Sequence, residues 1–493
     1  MIVLSLLAAT AGLTAPPTIA YVSVSGRDTN PGTASTPWRT LQYACDHGPS
    51  GGRIVARGGV YNERVTIRVP LTLVAAGGET PVIDGTGLAV PGDDAAMITI
   101  RDVDRVTVAG FDIRNLRTKD SARVPMGILV AGKADAISLS NNRVHHIANE
   151  GTNRDAINAF GIAVYGDSTR GAITNLRVEG NEIDHTRTGS SETLALNGNV
   201  DGFRVVGNWV HDADNIGIVA IGFEGTSPIR GQDQARNGLI AGNRVENVSS
   251  RANPAYRGSL GADGIYVDGG TSITIERNVV RAADIGIEVA SEHVGKTSSA
   301  VVVRSNLVTL CGLTGISIGG YDAKRGGTQG CTLVNNTLAR NDTSRSGTGE
   351  FSVQYNVKGV TFANNVVAAS TQGVLMSTAG GKGVAVGLAS DTNLFFAPVT
   401  PSWRWQGKTY TTLAGFAGAT GLDARSRLAD PRFVNPDGGD FHVAPDSPAR
   451  DRGRSFGAAI DEGLDLDRTA RIRGAAIDLG SYELPPIGSN LIP

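Results

Sequence analysis

Apolar residues in this chain come in short alternating runs, each led by an asparagine or a glycine, and the runs repeat. The asparagine-led set is Asn142-Arg143-Val144, Asn181-Glu182-Ile183, Asn208-Trp209-Val210, Asn243-Arg244-Val245 and Asn278-Val279-Val280. It continues with Asn306-Leu307-Val308, Asn336-Thr337-Leu338, Asn365-Val366-Val367 and Asn393-Leu394-Phe395, at intervals of 39, 27, 35, 35, 28, 30, 29 and 28 residues. A second set is led by glycine: Gly161-Ile162-Ala163-Val164, Gly217-Ile218-Val219-Ala220, Gly264-Ile265-Tyr266-Val267, Gly286-Ile287-Glu288-Val289 and Gly315-Ile316-Ser317-Ile318. β-Branched residues alternating with period two predict short strands with one buried face. No helical pattern of strand-crossover length lies between them, which excludes alternating strand–helix units.

Two or three strands per repeat, joined by polar turns, predict a solenoid: an all-β, right-handed parallel β-helix. Stacking the repeats puts the asparagines above one another at one bend. There their amides can ladder and satisfy turn backbone, so they are expected to be structural. A length of 493 residues would otherwise suggest about three domains, but a solenoid core grows lengthwise. The 65 glycines fit many tight turns, and 5% aromatic with 19% charged residues is too apolar and too patterned for disorder.

The 45 basic and 47 acidic residues leave a net charge of −2, which gives no footprint for nucleic acid. Residues 1–20 hold the apolar run Met1 to Ala9 and end in Thr18-Ile19-Ala20. They are expected to be a signal peptide of a secreted or periplasmic protein. No other segment approaches the ~18 apolar residues of a membrane span. Three cysteines, Cys45, Cys311 and Cys331, make no disulfide framework. Cys311 and Cys331 fall in successive repeats and are either bridged or buried as small hydrophobes.

The β-helix is expected over 21–396, with a short helix around Pro37 to Cys45 capping its first coil and an irregular cap over 397–493. Tyr21 to Thr33 and Val55 to Glu63 at the start are similar to the entry module of secreted parallel β-helix carbohydrate-active enzymes, the pectate-lyase-like superfamily. Asp430 to Val434, Asp440 to Val443, Ser447 to Gly453 and Asp478 to Glu483 resemble the C-terminal cap of the same group. The resemblance implies a monomeric extracellular enzyme with a poly- or oligosaccharide substrate. It extends over most of the chain as repeats and caps, and it reaches no catalytic signature.

Candidate chemistry comes from aligning the glycine-led strands. Their first outward position reads Ala163, Val219, Tyr266, Glu288, Ser317 and Ser352; the next reads Tyr165, Ile221, Asp268, Ala290, Gly319 and Gln354. Reactive side chains thus collect in the middle coils. Strands ~4.8 Å apart make Asp268 and Glu288 direct or diagonal neighbours, with Glu292 at the following turn. Crowded carboxylates repel, so one is expected to hold a proton at neutral pH, as glycoside hydrolysis requires. The catalytic candidates are therefore Asp268, Glu288 and Glu292.

Tyr266, Tyr321 and Trp209 are candidate platforms for sugar rings. His293, Arg325, Glu350 and Gln354 complete the expected substrate-binding set. Asp263 alone reads as turn chemistry, while Asp214 and Glu224 either line the groove or cap turns.

The first expectation is a glycoside hydrolase that needs no cofactor. The alternative is a polysaccharide lyase or epimerase acting on uronic acids. Asp263, Asp268, Glu288 and Glu292 would then hold Ca²⁺, and the base would come from Lys296, Arg257, Lys324 or Arg325. A non-catalytic adhesion solenoid fits less well, because the loops at 231–236 and 250–260 break the uniformity of the repeats.

Overall fold

The computed structural model describes residues 18–92, 95–381 and 383–486. Three long sheets run along the molecule, and the chain visits them in turn. One circuit runs from Val106–Ala109 in the first sheet to Asp112–Arg114 in the second and Pro125–Ala131 in the third. It then returns to Ser138–Ser140, which lies parallel beside Val106–Ala109. This is the right-handed parallel β-helix that the repeats predict.

The alternation explains the core. In the third sheet Ile265, Ile287, Ile316 and Phe351 stack in register, and beside them stand Val267, Val289, Ile318 and Val353. All eight are buried. Burying each such side chain stabilises the coil by roughly 1.5–3 kcal/mol. The column length, not any single cluster, therefore carries the stability.

The asparagines ladder at the bend between the first and second sheets. The Asn243 backbone N–H and its Nδ2 both donate to Asn278 Oδ1 at 2.9 Å, and Nδ2 also donates to the Val205 carbonyl at 2.9 Å. The same linkage joins Asn142 through Asn393, which ends the ladder on Ser426 Oγ and Asp423 Oδ1.

At the first coil, the helix Leu41–His47 is capped by Thr40 and buries Leu41, Ala44 and Cys45. The Glu63 carboxylate accepts the N–H groups of Leu41 and Gln42 at the helix start. The helix begins four residues after Pro37, because Trp38 pairs with Val22 instead. The expected leader falls mostly on residues 1–17, outside the described residues. Ile19 and Ala20 belong to a strand, Ile19–Val22, paired with Arg53–Ala56.

The coils run past residue 396. Ser402–Trp405 and Arg427–Leu428 extend the third and second sheets, and the helix Leu413–Thr420 stacks Phe416 on Trp403 at the open end. The remaining segment lies along the side of the solenoid. Its Phe441, Val443, Ala449 and Leu479 cover Leu307, Ala339, Val366 and Leu394 on the outer face of the second sheet. All three cysteines are buried and free. Among the described residues, no helix is long and apolar enough to cross a membrane.

Candidate active site

The outer face of the third sheet carries the acidic cluster, and the leading glycines place it. A Cβ on Gly264 would stand 2.4 Å from Val280 Cγ1, and one on Gly286 would stand 2.2 Å from Val308 Cγ1. At these two bends, from the second sheet into the third, only glycine fits. The residue before Gly264 is Asp263, a buried carboxylate that shares the field of Glu288.

Ala163, Ala195, Val219, Tyr266, Glu288, Ser317 and Ser352 form one outward column. Asp268 pairs across to Ala290, two residues on from Glu288, so Asp268 and Glu288 are diagonal neighbours. Both are almost fully buried, at 5% and 8% exposure. Glu292 follows at the turn, and its backbone N–H donates to Asp268 Oδ1 at 2.8 Å.

Burial is the main force on these acids. It pushes the Asp268 carboxyl up to about 8, aided by Glu292, Glu224 and Glu288 and opposed by the single N–H of Glu292. Burial and the neighbouring Glu288 hold Asp263 far above the ordinary carboxylate range. Burial, with Glu292 nearby, raises Glu288 to about 7, while the amide of Gln354 favours its ionised form. The Gln354 Nε2 donates to Glu288 Oε1 at 3.0 Å. Asp263, the more deeply buried of the two, keeps its proton, and Glu288 is the first of the pair to ionise. Glu292 is raised by burial and drawn down by Arg325 and His293.

Most of the expected binding residues gather here. Tyr266 lies in the cluster, and its phenol is raised by burial and by the surrounding acids. His293 Nε2 stands 3.9 Å from Asp268 Oδ2. The guanidinium of Arg325 stacks on the half-exposed ring of Tyr321 at 4.7 Å and donates to the Glu292 carbonyl at 3.3 Å.

Two expected residues do not join the site. Trp209 sits on the second sheet, stacked on His211 at 3.9 Å under Arg244, because asparagine-led strands belong to that sheet. Glu350 is fully buried and accepts the Asn341 backbone N–H at 2.9 Å and Nδ2 at 2.6 Å, so it braces a bend. Asp214 accepts the Thr188 N–H at 2.8 Å and caps a turn. Glu224 joins the groove, held by Asn197 Nδ2 at 2.6 Å.

Of the basic candidates, Lys296 lies over the Phe223 ring at 5.0 Å, and Arg257 is on the surface, paired with Asp155 at 3.1 Å. Lys324 sits in the turn whose N–H groups bond Asp322.

Glu192 and Tyr256 were missed from the sequence. The Glu192 carboxyl is pushed up to about 8 by burial and by Glu224, Asp268 and Glu292. The Tyr256 phenol is raised by burial and feels Asp263, Glu192 and Glu292. Glu192 opens a coil, Leu194–Gly198, that lacks the leading glycine. Thr193 stands there instead, its hydroxyl 3.1 Å from that of Thr186. The alternation Leu194-Ala195-Leu196-Asn197 between Asn181 and Asn208 was the signal that remained.

Fold and site together define a parallel β-helix with an acid-lined groove on its third sheet. No family model matches the chain. It belongs to the family of the uncharacterized protein YwoF of Bacillus subtilis (strain 168). The two are 36% identical over 438 residues, 87% of this chain and 92% of that one.

Among solved structures it is similar to the GH136 lacto-N-biosidase of Eubacterium ramulus, with a TM-score of 0.50 and 15% identity over 83% of this chain and 67% of that one. It is also similar to the pectate lyase Pel9A, with a TM-score of 0.46 and 13% identity over 95% and 97%. A third similarity is to the A-module of the Azotobacter vinelandii mannuronan C-5 epimerase AlgE4, with a TM-score of 0.46 and 12% identity over 79% and 93%. These likenesses concern the fold.

Proposed function

We propose that the protein is an extracellular carbohydrate-active enzyme, a glycoside hydrolase that cleaves a poly- or oligosaccharide lying along the third sheet. The observation that carries this reading is the diagonal pair Asp268 and Glu288, two buried carboxylates with unlike surroundings. Unlike surroundings divide the labour between two acids. Asp268 has one N–H donor and several acidic neighbours, so it holds its proton at neutral pH and gives it to the leaving glycosidic oxygen. Glu288 accepts a hydrogen bond from Gln354 and is raised only to about 7, so it ionises before Asp268 does. It then acts as base or nucleophile towards the anomeric carbon. The half-exposed ring of Tyr321 offers an apolar face to a sugar, and Arg325 stacked on it offers donors to its hydroxyls.

A lyase or epimerase reading draws on one observation: Glu224, Asp268 and His293 place ligand atoms within 4.8 Å of one another. That donor set, with its imidazole, fits Ca²⁺ poorly, since Ca²⁺ takes roughly six to eight oxygens. Arg325 and Lys296 are the bases such a reaction would require.

The test is incubation with neutral and uronic-acid polysaccharides, with Ca²⁺ or with chelator, reading reducing ends and the ultraviolet absorbance of unsaturated uronates together. Hydrolysis predicts reducing ends without absorbance, indifferent to chelation. Glu288→Gln and Asp268→Asn should each lower the rate by about 10²–10⁴-fold while the protein stays folded. Absorbance that rises with the reducing ends and vanishes with chelator would overturn the hydrolase reading.

A further inference from the structure

Four of the seven histidines, His145, His146, His185 and His211, fall in three consecutive coils on the outer face of the second sheet, away from the groove. His145 pairs across to Asp184, and Asp184 to His211, so imidazole, carboxylate and imidazole stand above one another at the ~4.8 Å strand spacing. The residues after the first two of these strand positions, His146 and His185, have φ of 55° and 50°. That left-handed turn brings their rings together, parallel to within 3° with centroids 4.9 Å apart.

The nitrogens converge. His145 Nδ1 and His146 Nδ1 are 2.6 Å apart, and His185 Nδ1 is 2.5 Å from Asp184 Oδ1. His145, His146 and Asp184 each place a ligand atom within 4.8 Å of the other two. In the next coil His211 Nε2 is buried and makes no hydrogen bond, 3.5 Å from Glu182 Oε1. Arg143 Nε holds Asp184 Oδ2 at 2.9 Å and orients the carboxylate from outside the set.

We propose that His145, His146 and Asp184, with His185 holding the carboxylate from the side, bind one divalent transition-metal ion such as Zn²⁺. Imidazole-rich donor sets suit Zn²⁺, Cu²⁺ and Ni²⁺, whereas Ca²⁺ and Mg²⁺ prefer oxygen. For both Nδ1 atoms to face the ion, the proton between them moves to the other ring nitrogen, so each imidazole binds as the neutral tautomer. The second group on this face, Glu182, Asp184 and His211, is the weaker site, because the Arg143 guanidinium stands against two of its three donors, Asp184 and Glu182, and against only Asp184 in the first. The ion would join neighbouring coils and so raise the thermal midpoint.

The test uses full-length protein without a polyhistidine tag, stripped with chelator and dialysed, then titrated calorimetrically with Zn²⁺. A parallel titration with Co²⁺ is read by visible absorption. One saturable equivalent, Co²⁺ bands and a higher thermal midpoint are expected. The double variant H146Q/H185Q, shown by circular dichroism to be folded, should lose all three. H293Q, in the groove, should keep them. Absence of saturable binding in the native protein would overturn the proposal. So would binding that survives in H146Q/H185Q, or that vanishes in H293Q.

Discussion

At the scale of single residues, the groove keeps carboxylic acids protonated by burying them among their own kind. Asp268 illustrates what this does to stability. Its folded value of about 8 stands far above its ordinary 3.8. Between those values the native protein binds a proton that the unfolded chain has released, so stability falls as pH rises and the full loss is reached above about pH 8. Asp268→Asn should therefore be more stable than the parent, by on the order of 5 kcal/mol above pH 8 and by nothing near pH 4. Thermal melts across that range check it, and a difference independent of pH would refute the electrostatic cause. The same field sets activity. Glu224 raises Asp268, so Glu224→Gln should move the alkaline limb of the pH–rate profile to lower pH while the plateau rate is largely kept. An unmoved limb would mean that Asp268 is not the acid. The sequence disclosed these acids by type and by period. It placed Asp263 among them only under the lyase alternative, because an Asp-Gly pair looks the same whether it ends a turn or enters a buried strand.

At the scale of the element, the rung is the unit. Each ladder asparagine joins the coil before it to the coil after it, and the middle rungs are fully enclosed. Asn243→Ala would remove the oxygen that takes both the N–H and the Nδ2 of Asn208, and would leave the Val205 carbonyl without its donor. Leaving buried polar groups unpaired costs about 1–3 kcal/mol each. The variant should lose roughly 2–4 kcal/mol in denaturant unfolding, far more than an exposed asparagine would. A loss below 1 kcal/mol would show that water or a shifted backbone replaces the rung. The rungs were legible because stacking demands the same side chain at the same bend, coil after coil. The glycine-led strands were legible only where the bend needs glycine. Thr193 solves that bend with a hydroxyl bonded to Thr186, so its coil, and Glu192 with it, escaped notice. Trp209 was misplaced for the converse reason. Its asparagine marks the second sheet, and an exposed aromatic carries no sign of the sheet it decorates.

At the scale of the molecule, the solenoid has a dressed side and a bare one. Over the later coils the second sheet would present Leu307, Ala339, Val366 and Leu394 to solvent, and the C-terminal segment covers them with Phe441, Val443, Ala449 and Leu479. The segment is pinned to the solenoid by Asn335 Nδ2 and Asn364 Nδ2, which donate to the carbonyls of Asp478 and Arg454, and by Arg304, which donates to that of Ile460. The β-helix beneath has its own column of interior residues and its own cap in Trp403 and Phe416. Neighbouring coils support one another along the axis, so loosening the side dressing need not unwind the column. Phe441→Ala removes the ring that rests on Leu307, Ala339 and Ala368, a change of about 3–5 kcal/mol for a buried phenylalanine. That free energy should be lost locally. Limited proteolysis should nick the variant within the segment after Leu428, faster than the parent, and leave a β-helix that melts cooperatively. The groove lies on another sheet, so the intact variant should keep whatever glycan turnover the parent has. Loss of turnover in step with the nicking would show instead that the dressing holds the third sheet in register, and the solenoid would have to be treated as one cooperative unit from the first coil to the tail.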